Sequence, residues 1–108
     1  MQPCVYIMTS RRHGTLYIGV TSDLAAREWQ HYSKTNPDSF TAKYGVNRLV
    51  WYQEFETMPE AIAKEKALKR WNRQWKIDLI EKTNPHWHPI NPDSGELMHD
   101  GDWGGGYV

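Results

Sequence analysis

Apolar and polar positions alternate with period two from residue 3 to residue 9, with Val5 and Ile7 on one side and Tyr6 and Met8 on the other. Alternation of this kind predicts a strand. A second alternating run covers residues 15–21, with Leu16, Ile18 and Val20 against Tyr17 and Gly19. Arg11-Arg12-His13-Gly14 between them reads as a hairpin loop with Gly14 in the left-handed conformation. A four-residue loop pairs Ser10 with Thr15 and Tyr6 with Gly19. The tyrosines then share one face of the sheet and the aliphatic residues share the other, because parity is fixed once the register is set.

Ser22 or Asp23 is a natural cap for a helix running to about Tyr32. Residues 33–47 carry Lys, Ser, Thr, Asn, Pro and Gly and read as a loop. Arg48–Glu56 alternates again, Leu49, Trp51 and Phe55 against Val50, Tyr52 and Glu54. From Met58-Pro59-Glu60 onward the spacing turns helical, with proline in the first turn. It continues to about Lys82, with Asn72 as the candidate break between two helices, and Asn84-Pro85 ends it. The order is β-β-α-β-α-α. Three short antiparallel strands need cover, and the helices supply it, so the class is α+β with a three-stranded antiparallel sheet flanked by helices. Residues 1–88 read as the folded domain and 89–108 as an acidic, Gly-rich tail.

Composition then narrows the field. The chain has 108 residues, enough for one domain. No apolar run approaches the length of a membrane span, and residues 1–10 lack the basic and apolar regions of a secretory signal. Cys4 is the single cysteine, which excludes an internal disulfide and a cysteine metal cluster. The expectation is a cytoplasmic protein without a membrane or disulfide partner. Formal net charge is zero, but its distribution is uneven. All 13 Lys and Arg, with 9 of the 13 Asp and Glu, lie in residues 1–84, which leaves that part at +4 and residues 85–108 at −4. A basic body with an acidic tail suits a phosphate-bearing partner.

Glu65 interrupts an apolar helical stripe formed by Ala61, Ile62 and Leu68 and continued by Trp75 and Leu79. A carboxylate in such a place is costly unless it is paired or binds a cation. A salt bridge to Lys69 or Arg27 and a metal ion are both open readings. Arg27 and His31, four residues apart on the first helix, are neighbours. They read either as a phosphate clamp beside a proton-transfer group or as a solvated face paired with Glu28. Gly19 beside Tyr17 marks a bulge or a close approach to a ligand. His86-Trp87-His88 has too few ligands at regular spacing for zinc. Lys64, Lys66, Lys69, Arg70, Arg73 and Lys76 interleave with Trp71 and Trp75. We expect both tryptophans in the core and some of the bases on a nucleic-acid backbone. Gly19, Lys43, Lys69 and Arg70 are the candidate nucleic-acid contacts.

Val5-Tyr6-Ile7, Tyr17-Ile18-Gly19, Arg27 and Glu65, in this order, resemble the motif set of the GIY-YIG nucleases. The runs YIGVTSDLAAREWQH, FTAKYGVNRLVWYQEFE and AIAKEKALKRW are similar to the small stand-alone bacterial branch, the YhbQ-like proteins. Val5 replaces the first motif's glycine, and the asparagine many relatives carry after the glutamate has no secure counterpart, Asn72 and Asn84 both being candidates. The resemblance implies a DNA endonuclease using Mg²⁺ or another divalent cation such as Mn²⁺, in DNA repair or processing. It implies that Glu65 holds the metal, that Arg27 stabilises the transition state, and that Tyr17, Tyr6 and His31 activate water. A non-catalytic DNA- or RNA-binding module on the same fold is the alternative. An interaction protein whose acidic tail covers its own basic face is a third.

Overall fold

A computed structural model of the chain describes residues 2–24, 48–92 and 94–97. Within them the order is β1 (Cys4–Thr9), β2 (Leu16–Thr21), β3 (Arg48–Glu54), α1 (Met58–Arg70) and α2 (Arg73–Thr83). The helix expected over residues 22–32 and the loop after it lie outside the described residues. The three strands form one antiparallel sheet in the order β2-β1-β3. The class is the expected α+β arrangement.

β1 is the central strand, and all six of its residues are buried. Tyr6 pairs with Gly19 and Thr9 with Leu16. The Ser10 amide donates to Thr15 O at 3.2 Å, which closes the hairpin in the expected register. The left-handed residue of the turn is His13, at φ 58, and not Gly14. Glycine is demanded at 14 by space instead. A Cβ there would lie 2.4 Å from Ser10 Oγ and 2.8 Å from Arg11 Cγ.

The two faces of the sheet carry separate cores. Val5, Ile7, Ile18, Val50 and Trp51 pack against Ala61 and Leu68 of α1, Ile77 and Ile80 of α2, and Trp87. On the other face Tyr6, Met8 and Leu49 pack with Ile90, and Tyr17, Leu24 and Tyr52 join them. β3 departs from the expected alternation. Ile7 faces Trp51 and Met8 faces Leu49, so Val50 is an extra residue, a bulge. One inserted residue flips parity, which is why Val50 and Trp51 enter the same core while Leu49 and Tyr52 enter the other.

The helical region does divide at Asn72. Thr57 caps α1 by accepting from Glu60 N, and Asn72 Oδ1 accepts from Trp75 N at 2.8 Å to cap α2. The break changes the fate of the tryptophans. Trp71 and Asn72 are extended, with ψ 148 and 165, so the helical phase restarts at Arg73. Ile77 and Ile80 face the sheet, Trp71 is half-buried and Trp75 is 56% exposed. The expectation that both tryptophans lie in the core is therefore corrected.

Past α2 the chain still packs on the sheet. Asn84 is buried and its side chain ties three segments together. Nδ2 donates to Val50 O at 3.1 Å and to His88 O at 2.8 Å, and Oδ1 accepts from His88 N at 2.9 Å. The Ile90 amide donates to Leu49 O at 2.8 Å, and Ile90 bridges back to Leu97. Residues 89–92 and 94–97 thus start from the sheet's second face, although their composition is that of a tail.

Candidate active site

Tyr6 and Tyr17 come from adjacent strands, on the diagonal of one face, as parity requires. Their ring centroids are 6.2 Å apart and their planes are inclined by 40°. Gly19 lies directly across from Tyr6 and makes this possible. A Cβ at position 19 would stand 2.4 Å from Tyr6 Oη, 2.5 Å from its Cζ and 3.0 Å from Tyr17 Cε1. The close approach read into Gly19 from sequence is filled by the phenol of Tyr6. Tyr6 is 2% exposed, whereas Tyr17 is half-buried and reaches the surface.

This packing gives a direct test. Gly19→Ala should push the Tyr6 ring off its seat at an overpacking cost of about 1–3 kcal/mol. Its urea midpoint is expected to fall, and an unchanged midpoint would show that the ring moves freely.

Glu65 sits between Ala61 and Leu68, both fully buried, on the flank of α1 facing the sheet. Its side chain is 15% exposed, and Oε2 lies 3.2 Å from Lys69 Nζ one helical turn away. Lys69, one of the two ion-pair partners considered, is paired with it, and the lysine head is mostly in water. α1 packs over the aliphatic core of β1 and β2, so Glu65 belongs to the layer opposite the tyrosine face. The structure brings Tyr6, Tyr17 and Gly19 together, and pairs Glu65 with Lys69. Arg70 is exposed at the end of α1. Arg27, His31 and Lys43 lie outside the described residues.

Two concavities flank this arrangement. One, of about 380 Å³, opens on the tyrosine face and is lined by Cys4, Asp23, Tyr52, Glu54 and Ser94 among others. Two carboxylates and no Lys or Arg among its lining residues make it a poor place for a phosphate. Cys4 in its lining is a free thiol, and burial pushes its pKa up to about 11, which disfavours it as a nucleophile. The other, of about 330 Å³, lies at the β1–β2 turn and is lined by Arg11, His13 and Arg73 with Ser10, Gly14 and Thr15. Arg73 donates to His13 O at 2.7 Å and to Gly14 O at 2.8 Å, so α2 holds the turn in place. Tyr52 was not singled out from sequence, although it packs on the same face as the paired tyrosines. Its own strand gives no sign of this, because the bulge at Val50 hides its parity.

Among the described residues no helix is long and apolar enough to cross a membrane, and no group of three or more His, Cys, Asp or Glu could cage a metal ion. No curated protein sequence matches the chain. The fold is similar to the solution NMR structure of the UPF0213 protein BH0048 from Bacillus halodurans. That likeness has a TM-score of 0.51 at 29% identity, over 81% of this chain and 90% of the other. Residues 2–78 match the family model for the GIY-YIG catalytic domain, a span that includes both tyrosines, Gly19, Arg27 and Glu65. The chain belongs to the GIY-YIG family of endonuclease domains.

Proposed function

We propose that the protein is a metal-dependent endonuclease that hydrolyses DNA phosphodiester bonds. The observation that carries this reading is the pair of phenols locked around Gly19 in a chain of this family. Glu65 would hold the divalent cation, Mg²⁺ or Mn²⁺. Its chemistry fits. Mg²⁺ keeps several waters and takes one or two carboxylates, so it needs no cage of protein ligands. The carboxylate is mostly shielded, and its present partner, the Lys69 ammonium, is itself a cation that the metal would displace. When bound, such an ion neutralises charge developing on the phosphate oxygens.

The protein's own groups divide the remaining work. Arg27 supplies a guanidinium for the phosphate. Tyr17, the more accessible phenol, would touch the attacking water and relay its proton, with His31 as the competing base. Tyr6, sealed from solvent, acts through Tyr17 as a positioning residue by fixing the plane of its ring. β2 is an edge strand and α1 packs against it. A phosphate touched by both Tyr17 and Glu65 therefore has to lie at that edge, between the two layers.

The opposite placement of Glu65 and the tyrosines favours a second reading, a nucleic-acid-binding module without catalysis. A supercoiled plasmid incubated with and without Mg²⁺ separates the two. Nicked circles that require the cation support the nuclease. Retardation of the plasmid on a gel, with no nicking in Mg²⁺ or Mn²⁺, supports the module.

A further inference from the structure

Trp75 is a large apolar side chain left 56% exposed, although α2 already has Ile77 and Ile80 for the core. It does not stand alone. Trp71 packs against it edge-on, with centroids 5.9 Å apart and planes at 86°. Lys64 Nζ lies 5.4 Å from the centre of the Trp71 ring, a cation–π contact. A shallow apolar groove of about 410 Å³ runs alongside, lined by Trp71, Trp75, Asp78, Leu79 and Lys82. The patch lies on the helical layer, apart from the tyrosine face.

Charge decides which occupant this surface suits. The segment from Met58 to Thr83 carries seven Lys and Arg against four Asp and Glu; Lys64 and Lys82 border the aromatic pair, and Asp78, the acid among the groove's lining residues, already accepts from Gln74 Nε2 at 2.9 Å. An apolar protein partner closing over the tryptophans would strip water from both ammonium heads, a cost that needs matching acids. A nucleic-acid strand reverses that balance. A base has a flat face for an indole, and its flanking phosphates take the lysines. Stacking of this kind needs an unpaired base, since a duplex hides its faces.

We propose that Trp71 and Trp75, with Lys64 and Lys82, form a second nucleic-acid contact that stacks an unpaired base of a DNA strand. This rests on the reading that DNA is the protein's partner, but not on its being cleaved. The test is fluorescence anisotropy with a short fluorescein-labelled oligothymidylate and a labelled blunt duplex, both in EDTA so that no cleavage intervenes. Trp75→Ala should weaken binding of the oligothymidylate about tenfold, the loss of one base stack, with less than a twofold change for the duplex. Lys64→Ala with Lys82→Ala should weaken both ligands and flatten the salt dependence. Trp75 is exposed, so its variant is expected to fold, and far-ultraviolet circular dichroism checks this. Wild-type binding of the oligothymidylate by Trp75→Ala would overturn the proposal, as would equal losses on both ligands. Dissociation of a protein dimer by Trp75→Ala in sedimentation, without loss of DNA binding, would also overturn it and assign the patch to a second copy. A parent protein that nicks nothing but shows the Trp75 effect leaves this contact standing while the nuclease reading falls.

Discussion

Glu65→Ala should abolish cation-dependent nicking of a supercoiled plasmid, with a rate at least about a hundredfold below the parent's, the scale of losing a main electrostatic element of a transition state. The fold should be almost indifferent. Alanine is the best helix former, and the Lys69 partner is mostly solvated, so the pair is worth no more than about 0.5 kcal/mol. The same substitution joins Ala61 and Leu68 into a continuous apolar flank, which if anything helps α1. This asymmetry makes the experiment informative: thermal unfolding reports the scaffold and nicking reports the chemistry, and only the second should move. Glu65→Gln keeps the shape and removes the charge, so it should lose nicking to a similar degree. Undiminished cleavage by both variants would take Glu65 out of the site. It would leave the carboxylate as what its contacts alone describe, one half of an i,i+4 ion pair.

The hairpin was legible because two independent signals agree there. The four-residue turn sets Tyr6 opposite Gly19, and period two then puts both tyrosines on one face. β3 was legible as a strand but not in its parity. A bulge adds one residue without changing composition, so nothing in RLVWYQE separates Val50 from its neighbours. Trp75 failed for a related reason. Its spacing from Glu65 and Leu68 continues a stripe only if the helix is unbroken, and the two extended residues before Arg73 reset the phase. The left-handed turn position was assigned to glycine on conformational grounds, whereas His13 takes it, held by contacts that lie about sixty or more residues away in the chain.

The candidate site was legible in kind more than in arrangement. Glu65 was conspicuous because a carboxylate in an apolar stripe needs a reason, and the structure supplies Lys69. That α1 lies over the aliphatic face, with the tyrosines on the other, depends on which core each helix covers. Local periodicity carries no such information. Gly19 shows the same limit. Sequence identified a close approach, and only packing shows that the approaching group is Tyr6.

Trp87→Ala should cost about 3–5 kcal/mol, the range for deleting a large buried aromatic, and this is the largest stability effect expected from one substitution. The side chain is 0% exposed in the core beneath α2. Nε1 donates to Glu81 Oε2 at 2.8 Å, and the same carboxylate oxygen lies 3.1 Å from His13 Nε2. The His13 ring stacks on the indole with centroids 4.9 Å apart. One residue past the end of α2 therefore joins the β1–β2 turn to that helix. Against a total stability of about 5–15 kcal/mol for a domain, the urea midpoint should fall by roughly a fifth or more. Trp87→Phe separates packing from hydrogen bonding. It keeps most of the buried ring and leaves Glu81 without its indole donor, so about 1–2 kcal/mol is expected. The loss should also reach the tyrosine site, because His13 lies in the turn that sets the register of Tyr17 against Met8. A Trp87→Ala protein with the parent's midpoint would mean that the packed domain ends before residue 87. The turn would then rest on Arg73 alone.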